Sequence, residues 1–435
     1  MIELAQMATK KKPAFTAMLS GLTSAERKII QGISALAAKR GERAYIVGGF
    51  ARDILLGLPN LDIDCVVEGD ACGLAGELST ELGVGNISLN KKFNTAKITT
   101  GDLTIDIASA REEKYTEAGA LPTVRLSTIR QDAMRRDFSI NALYISIRPR
   151  DFGKLCSERC RLEDLKKGVI RVFHDKSFED DPTRIFRALR FAARFGFRIE
   201  PRTRRLLQKA IKDGMLEKIS PFRAKREIMF LLGEINAPEA VKMARALGLT
   251  KKILPGVKKN AVRDMETGRV IWLDFFIYLG GSFSPALYML LILLKDIPLS
   301  ARRKFAQDLN FGKKENAVIS FPGKKINKIL RGIIRNDPVW RVEADSLRDE
   351  QLLYTVLLSA SKYPAEFAKT EKRVMDYILH LKRKKPFHSS SELMRMGFPA
   401  ETLGALTKEI TGGRRGGEIL SKSQEYGFLV RKLQK

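Results

Sequence analysis

Asp62 and Asp64 are separated by one residue within the β-rich run NLDIDCVVEG. Side chains of an extended strand alternate, so both carboxylates project from one face while Ile63, Cys65 and Val67 point to the other. Adjacent like charges repel, so a strand carrying them either meets a bridging cation or is a solvated edge. A third carboxylate, Asp106, belongs to LTIDIASAR, where Leu103, Ile105 and Ile107 alternate with Thr104, Asp106 and Ala108. Oxygen ligands without histidine or cysteine suit the hard cation Mg2+. Beside nucleotide phosphates, such a site suits two-metal phosphoryl or nucleotidyl transfer: one ion activates a hydroxyl and the other neutralises leaving pyrophosphate.

Three further motifs offer cationic partners. YIVGGFARDILLG reads as a strand, a turn at Gly48 and Gly49, and a helix carrying Arg52 and Asp53. Adjacent glycines let backbone amides approach a ligand, and the helix N-terminus favours anions. Arg52 can grip a phosphate with its guanidinium fork. In RQDAMRRDFSINALYI, Arg136 is a candidate phosphate ligand, while Asp137 accepts from a ribose or orients an arginine. In FEDDPTRIFRALRFAARFGFRI, Pro182 fits the first helical turn and Asp181 the N-cap. Arg184, Arg187, Arg190 and Arg194 then fall on one side, with Ile185, Phe186, Leu189, Ala192 and Ala193 on the packed side. Two readings stay open for this helix: Asp181 caps it and pairs with Arg184, or the two read a base edge while Arg187 and Arg190 hold phosphates.

The elements that must position these groups follow from pattern. Residues 1–40 read as an amphipathic helical lead-in, with a helix start at Thr23-Ser24-Ala25-Glu26. From Ala44 to about Ile147, short β-branched runs (YIVGG, LDIDCVVEG, TAKITT, LTIDIA, INALYISI) alternate with a helical segment and polar loops. After Leu162 the pattern is helical, with long segments at 182–195, 201–213, 223–248, 285–295, 323–335, 350–383 and 401–411. The expected class is α+β. At 435 residues the chain should hold two to four domains. Seventy-eight Lys and Arg against 50 Asp and Glu give a net charge of +28, which argues for a polyanionic partner. FPGKKINKILRGIIR keeps Lys324, Lys325, Lys328, Arg331 and Arg335 largely off its apolar stripe, and LKRKK (381–385) and Arg414-Arg415 add basic patches. Four cysteines argue against a disulfide framework, and the C-x3-C pair Cys156 and Cys160 lacks the further ligands of a zinc site. The apolar stretch 271–298 is broken by Asp274, a Gly-Gly and Pro285, so buried helices are expected there. Without a secretion signal at the N-terminus, a cytoplasmic protein is expected.

Taken together and in order, GGFARD, LDID, IDIASAR, RRDFSINAL and DDPTRIFRALRF resemble the class II CCA-adding tRNA nucleotidyltransferase/poly(A) polymerase family over residues 40–250. The resemblance implies a nucleotidyltransferase-type α/β head with a mixed sheet, followed by an all-helical neck, body and tail. The corresponding spans are a lead-in at 1–40, head at 41–160, neck at 161–250, body at 251–340 and tail at 341–435. It implies that Asp62 and Asp64 hold Mg2+, with Asp106 as a helper. Gly48, Gly49 and Arg52 would meet the triphosphate, and Arg136 and Asp137 the phosphates and ribose. Asp181 and Arg184 would select CTP or ATP, and Arg187 and Arg190 would add nucleotide contacts. The implied partner is tRNA, clasped by its acceptor and TΨC arms. The implied reaction adds C and/or A to the tRNA 3′ end; a poly(A) polymerase or a non-catalytic RNA-binding relative on the same scaffold is the alternative. Two departures stand out: Ser139 replaces the usual Thr, and Cys156, Ser157, Arg159 and Cys160 occupy the place of an Asp and paired glycines. The stretch 110–124 matches the family's mobile loop, whose sequence leaves open whether CC, A or the whole CCA is added.

Overall fold

A helix begins where the sequence places one. Thr23 Oγ1 accepts the Glu26 N–H, and the Glu26 carboxylate accepts the Thr23 N–H at 2.6 Å. This reciprocal cap opens α1 (Ser24–Lys39), whose Ile29, Ile30, Ile33, Leu36 and Ala37 are buried. The structure, a computed structural model, describes residues 22–433 apart from 61, 84–85, 102, 115–121, 255, 277–278, 280–282, 383–384, 417 and 420. It divides into two compact units, residues 1–220 and 221–435, so the boundary falls inside the expected 161–250 segment.

The first unit is built on a six-stranded mixed sheet. Its strands are β1 (Arg43–Val47), β2 (Asp62–Glu68), β3 (Ile87–Asn90), β4 (Thr95–Thr100) and β5 (Leu103–Ser109). A separate hairpin, β6 (Arg111–Lys114) with β7 (Thr123–Leu126), precedes the last sheet strand, β8 (Tyr144–Ser146). The order is β3-β4-β5-β2-β1-β8, with β2 and β5 parallel and the remaining neighbours antiparallel. Helices α2 (Gly48–Leu56) and α3 (Ala71–Leu82) pack against it. Ile63, Cys65, Val67, Ile105 and Ile107 are buried, as alternation along β2 and β5 requires.

Two strand expectations are corrected. Of INALYISI only Tyr144–Ser146 is strand, because Ser139–Asn141 closes a 3-10 turn. Strand β3 went unread because Ser88, Leu89 and Asn90 are all exposed, which leaves an edge strand without apolar alternation.

Short helices α4 (Ile129–Met134), α5 (Arg159–Lys166) and α6 (Ser177–Asp180) lead to α7 (Arg184–Phe195) and α8 (Pro201–Lys212). A small parallel pair, Val169–Ile170 with Arg198–Ile199, interrupts the helical run. Helix α7 opens at Arg184, two residues later than the sequence suggested. Pro182 and Thr183 form a turn, and Asp181 Oδ1 accepts the Thr183 N–H and hydroxyl instead of capping the helix directly.

The second unit is helical. The expected 223–248 helix is two, Pro221–Leu232 and Ala237–Ala246, separated at Gly233 and resumed with Pro238 in the first turn. The expected 350–383 helix likewise breaks into Asp349–Lys362 and Phe367–Asp376, because Pro364 lacks the N–H needed to continue it. Helix Pro285–Leu293 is buried along its length from Ala286 onward. Among the described residues, no helix is long and apolar enough to cross a membrane. Helix Gly323–Arg335 buries Ile326, Ile329, Leu330 and Ile333, leaves Lys324, Lys328, Arg331 and Arg335 exposed and half-buries Lys325.

Strand β2 carries the carboxylates, so its apolar face must anchor it. Ile63, fully buried beneath Asp62 and Asp64 in sequence, is the test position. Ile63→Ala should lower stability by about 2–5 kcal/mol, read as a shift of the denaturant midpoint.

Candidate active site

The parallel register of β2 and β5 sets Asp64 level with Asp106 and Asp62 level with Thr104. Asp62 is exposed at the first residue of its strand and Asp64 is half-buried on the same face. Asp64 Oδ2 accepts the Phe50 N–H at 3.4 Å, from the first turn of α2. Burial pushes the Asp64 carboxyl above its ordinary value, opposed by Arg136 and the Phe50 N–H and reinforced by Asp106 and Asp62. Asp106 is engaged by Lys97, its cross-strand neighbour on β4, at 3.1 Å.

Gly48 makes this crowding possible. Its φ is +64°, a region that L side chains rarely adopt. A Cβ there would lie 2.9 Å from Arg136 Nη1 and 3.3 Å from Asp64 Oδ2. Gly49 is similarly close, 3.4 Å from Asp64 Oδ2 to the corresponding point. The glycine at 48 therefore lets an arginine and a carboxylate approach the same point of bare backbone from two sides.

The donor set fits a divalent cation. Asp62 and Asp64 share one face, mutual repulsion makes the site electronegative, and hard oxygens are what Mg2+ prefers. Among the described residues, no three carboxylate, histidine or cysteine side chains converge closely enough to hold a metal by themselves. Oxygens from a bound phosphate would have to complete such a shell, as is common for Mg2+.

A relay of hydrogen bonds runs inward from the exposed Asp62 backbone. Asn60 Oδ1 accepts the Asp62 N–H at 2.9 Å, and Asn60 Nδ2 donates to Asp53 Oδ2 at 2.8 Å. Arg52 donates to Asp53 Oδ1 at 2.8 Å and to Asn141 Oδ1 at 2.5 Å. Asn141 Nδ2 donates to Asp137 Oδ1 at 3.0 Å, and Arg187 holds Asp137 Oδ2 through Nε at 2.8 Å and Nη2 at 2.7 Å. Arg52 is only 4% exposed, so it faces protein partners rather than an open cleft. Asp137 is also enclosed; of its two sequence-based readings, the geometry realises the one in which it orients an arginine. Burial alone would raise the Asp137 carboxyl, but Arg187, Asn141 and Arg184 hold it below the ordinary range.

A second network reaches α7. Asp132, which is 0% exposed, accepts from both Arg135 and Arg136. Arg135 also donates to Glu113 on β6 at 2.9 Å, and its carbonyl accepts from Arg184 Nη2 at 2.8 Å. Arg184 Nη1 donates to Ser177 Oγ at 2.6 Å. Arg135 and Arg184 line a cavity of about 260 Å³ together with Glu113, Gln131, His174 and Asp180.

The α7 arginines do not all share one surface. Arg184 is buried, whereas Arg187 and Arg190 are half-buried and Arg194 is exposed. Their mutual repulsion is relieved partly by aromatic rings. Arg187 and Arg190 lie 5.3 and 5.1 Å from the Phe191 ring centroid, and Arg194 lies 5.5 Å from that of Phe195. Arg52 approaches the same two rings at 5.4 and 4.6 Å. Phe191, Asn141 and Asp132 were missed from sequence. For Asp132 a signal existed: it precedes Arg135 and Arg136 by three and four residues, the helical pairing distances.

Residues 44–171 match the model of the poly A polymerase head domain, and residues 196–260 match that of the probable RNA- and SrmB-binding site of polymerase A. The A-adding tRNA nucleotidyltransferase of Aquifex aeolicus is 43% identical over 218 residues, covering 50% of this chain and 26% of that protein. The enzyme of the same name from Halalkalibacterium halodurans is 40% identical over 219 residues, 49% of this chain and 51% of its own length. The match thus spans from about a quarter to about half of these relatives. A crystal structure of a tRNA nucleotidyltransferase complexed with a primer tRNA and an incoming ATP analog superposes with a TM-score of 0.67 at 30% identity. That likeness covers 79% of this chain and 97% of the other.

The Asp137–Arg187 pair makes stability depend on pH in the acid range. A carboxyl held low in the fold contributes stability above its unfolded value, near 3.9, and loses it as pH falls through the lower folded value. Thermal melts across acid pH should show this loss. Asp137→Asn should be less stable at neutral pH by about 3–5 kcal/mol and show a shallower decline in acid.

Proposed function

This chain belongs to the CCA-adding tRNA nucleotidyltransferase/poly(A) polymerase family, and on that premise we propose that it extends the 3′ end of tRNA with C and/or A, releasing pyrophosphate from CTP or ATP. Both curated relatives described above bear A-adding names, which favours the terminal A among these products. The observation that carries the reading is the electronegative row of Asp62, Asp64 and Asp106 set against Gly48 and Arg136.

In this reading the head, neck, body and tail follow the spans given by the sequence. Asp62 and Asp64 hold Mg2+, which when bound lowers the pKa of the primer 3′-hydroxyl and offsets triphosphate charge. Gly48 and Gly49 leave room for phosphate oxygens beside the amides of α2. Arg136, Arg187 and Arg190 supply fixed positive charge to the triphosphate, which needs no reorganisation as charge moves to the leaving group. Arg52 and Asp137 act from behind, fixing Asn141 and Arg187. Asp181 and Arg184 read the base, Arg184 being locked by Ser177 and the Arg135 carbonyl. The exposed lysines and arginines of Gly323–Arg335 offer phosphate contacts to the tRNA.

The test uses tRNA ending at the discriminator base, in C, or in CC, with each labelled triphosphate and Mg2+. One A added to the CC end is the expected product; a long A tail identifies a poly(A) polymerase, and binding without incorporation identifies a non-catalytic protein. Asp62→Asn and Asp64→Asn should each lower turnover by on the order of 1,000-fold while tRNA affinity changes little. Retained turnover in the double variant would refute the site.

A further inference from the structure

We propose that Asp132 is a positioning residue whose charge keeps Arg136 off the Asp64 carboxylate and so leaves that carboxylate open to a divalent cation. The inference rests on the metal-dependent reading above and concerns a residue outside its expected site.

Asp132 has no exposure, and its two oxygens are divided between two guanidinium groups. Oδ1 accepts from Arg135 Nε at 2.9 Å and Nη2 at 2.6 Å. Oδ2 accepts from Arg136 Nε at 3.1 Å and Nη2 at 3.0 Å. This two-point grip fixes the plane of the Arg136 guanidinium as well as its place. The remaining nitrogen, Nη1, donates to the Asn141 carbonyl at 3.3 Å.

Arg136 Nη1 and Asp64 Oδ2 flank one point, the place a Gly48 Cβ would take, at 2.9 and 3.3 Å from it. Despite that proximity, no salt bridge joins Arg136 to Asp64; the ion pair Arg136 makes is with Asp132. A guanidinium without Asp132 would face Asp64 as the adjacent carboxylate, with Asp62 on the same face of β2 and Asp106 level with Asp64 on β5. The resulting pair would occupy the oxygens that a cation requires. Asp132 thus separates two opposite charges that the glycine turn has brought together.

The experiment titrates the full-length protein with Mn2+ alone, without nucleotide or RNA, following the free ion by electron paramagnetic resonance. Asp132→Asn should weaken Mn2+ binding about tenfold, and Arg136→Gln added to it should restore the affinity. Unchanged affinity in Asp132→Asn, or no recovery in the double variant, overturns the proposal. Removing a buried shared carboxylate can prevent folding, so melting curves accompany each variant and a second comparison keeps the wild-type Asp132. A lysine at 136 lacks the planar fork, so its ammonium is released toward Asp64. Arg136→Lys should therefore bind Mn2+ at least about threefold more weakly than Arg136→Gln; equal affinities overturn the proposal. Wild-type protein that binds no Mn2+ defeats the metal site itself and this inference with it. Wild-type binding with unaltered variants defeats the inference alone.

Discussion

Buried carboxylates, each divided between an arginine and a second hydrogen-bond donor, are the interaction on which the first unit depends. Asp132 serves Arg135 and Arg136, Asp137 serves Arg187 and Asn141, and Asp53 serves Arg52 and Asn60. Each is almost wholly enclosed. Isolated burial of such charges would be costly, and here each buried carboxylate is both ion-paired and hydrogen-bonded. The two networks meet at Asn141, whose side chain joins Arg52 to Asp137 and whose carbonyl accepts from Arg136. The strand carrying the carboxylates and the helix carrying the arginines are thereby linked through side chains of α2 and of the Asp137–Asn141 segment.

That arrangement explains how a site rich in both signs remains usable. Opposite charges left to themselves would collapse into pairs and fill the space meant for a ligand. Here Arg52, Arg135, Arg136 and Arg187 are each paired with a buried acid. The surface acids, Asp62 and Asp64, are kept without comparable partners among the cations described. The outcome is a field negative at the strand and positive at its margin, which the proposed transfer would use.

Much of this was legible in the residues. Period-two alternation placed Asp62 and Asp64 on one face of their strand and Asp106 on the polar face of another, while the register that sets Asp106 level with Asp64 came only with the strand pairing. The cap at Thr23 and Glu26 was equally local, as was the basic outer face of Gly323–Arg335. What escaped was non-local. Nothing within GGFARD says that Arg52 turns inward to meet Asn141, 89 residues away. Nor does the arginine spacing of α7 show that Phe191 and Phe195 interleave the charges. Helix ends also eluded the pattern where a proline or a single glycine, rather than a change of polarity, decided the break.

The two phenylalanines of α7 stack on each other, ring centroids 6.1 Å apart, and guanidinium groups lie over both. A flat delocalised cation lies on a ring in a way that a compact ammonium does not. Counting charge therefore misdescribes this helix. Two sequences with the same formal total, one built with arginine and one with lysine, would present different surfaces, and only the former would inherit the scaffold that keeps these cations in place.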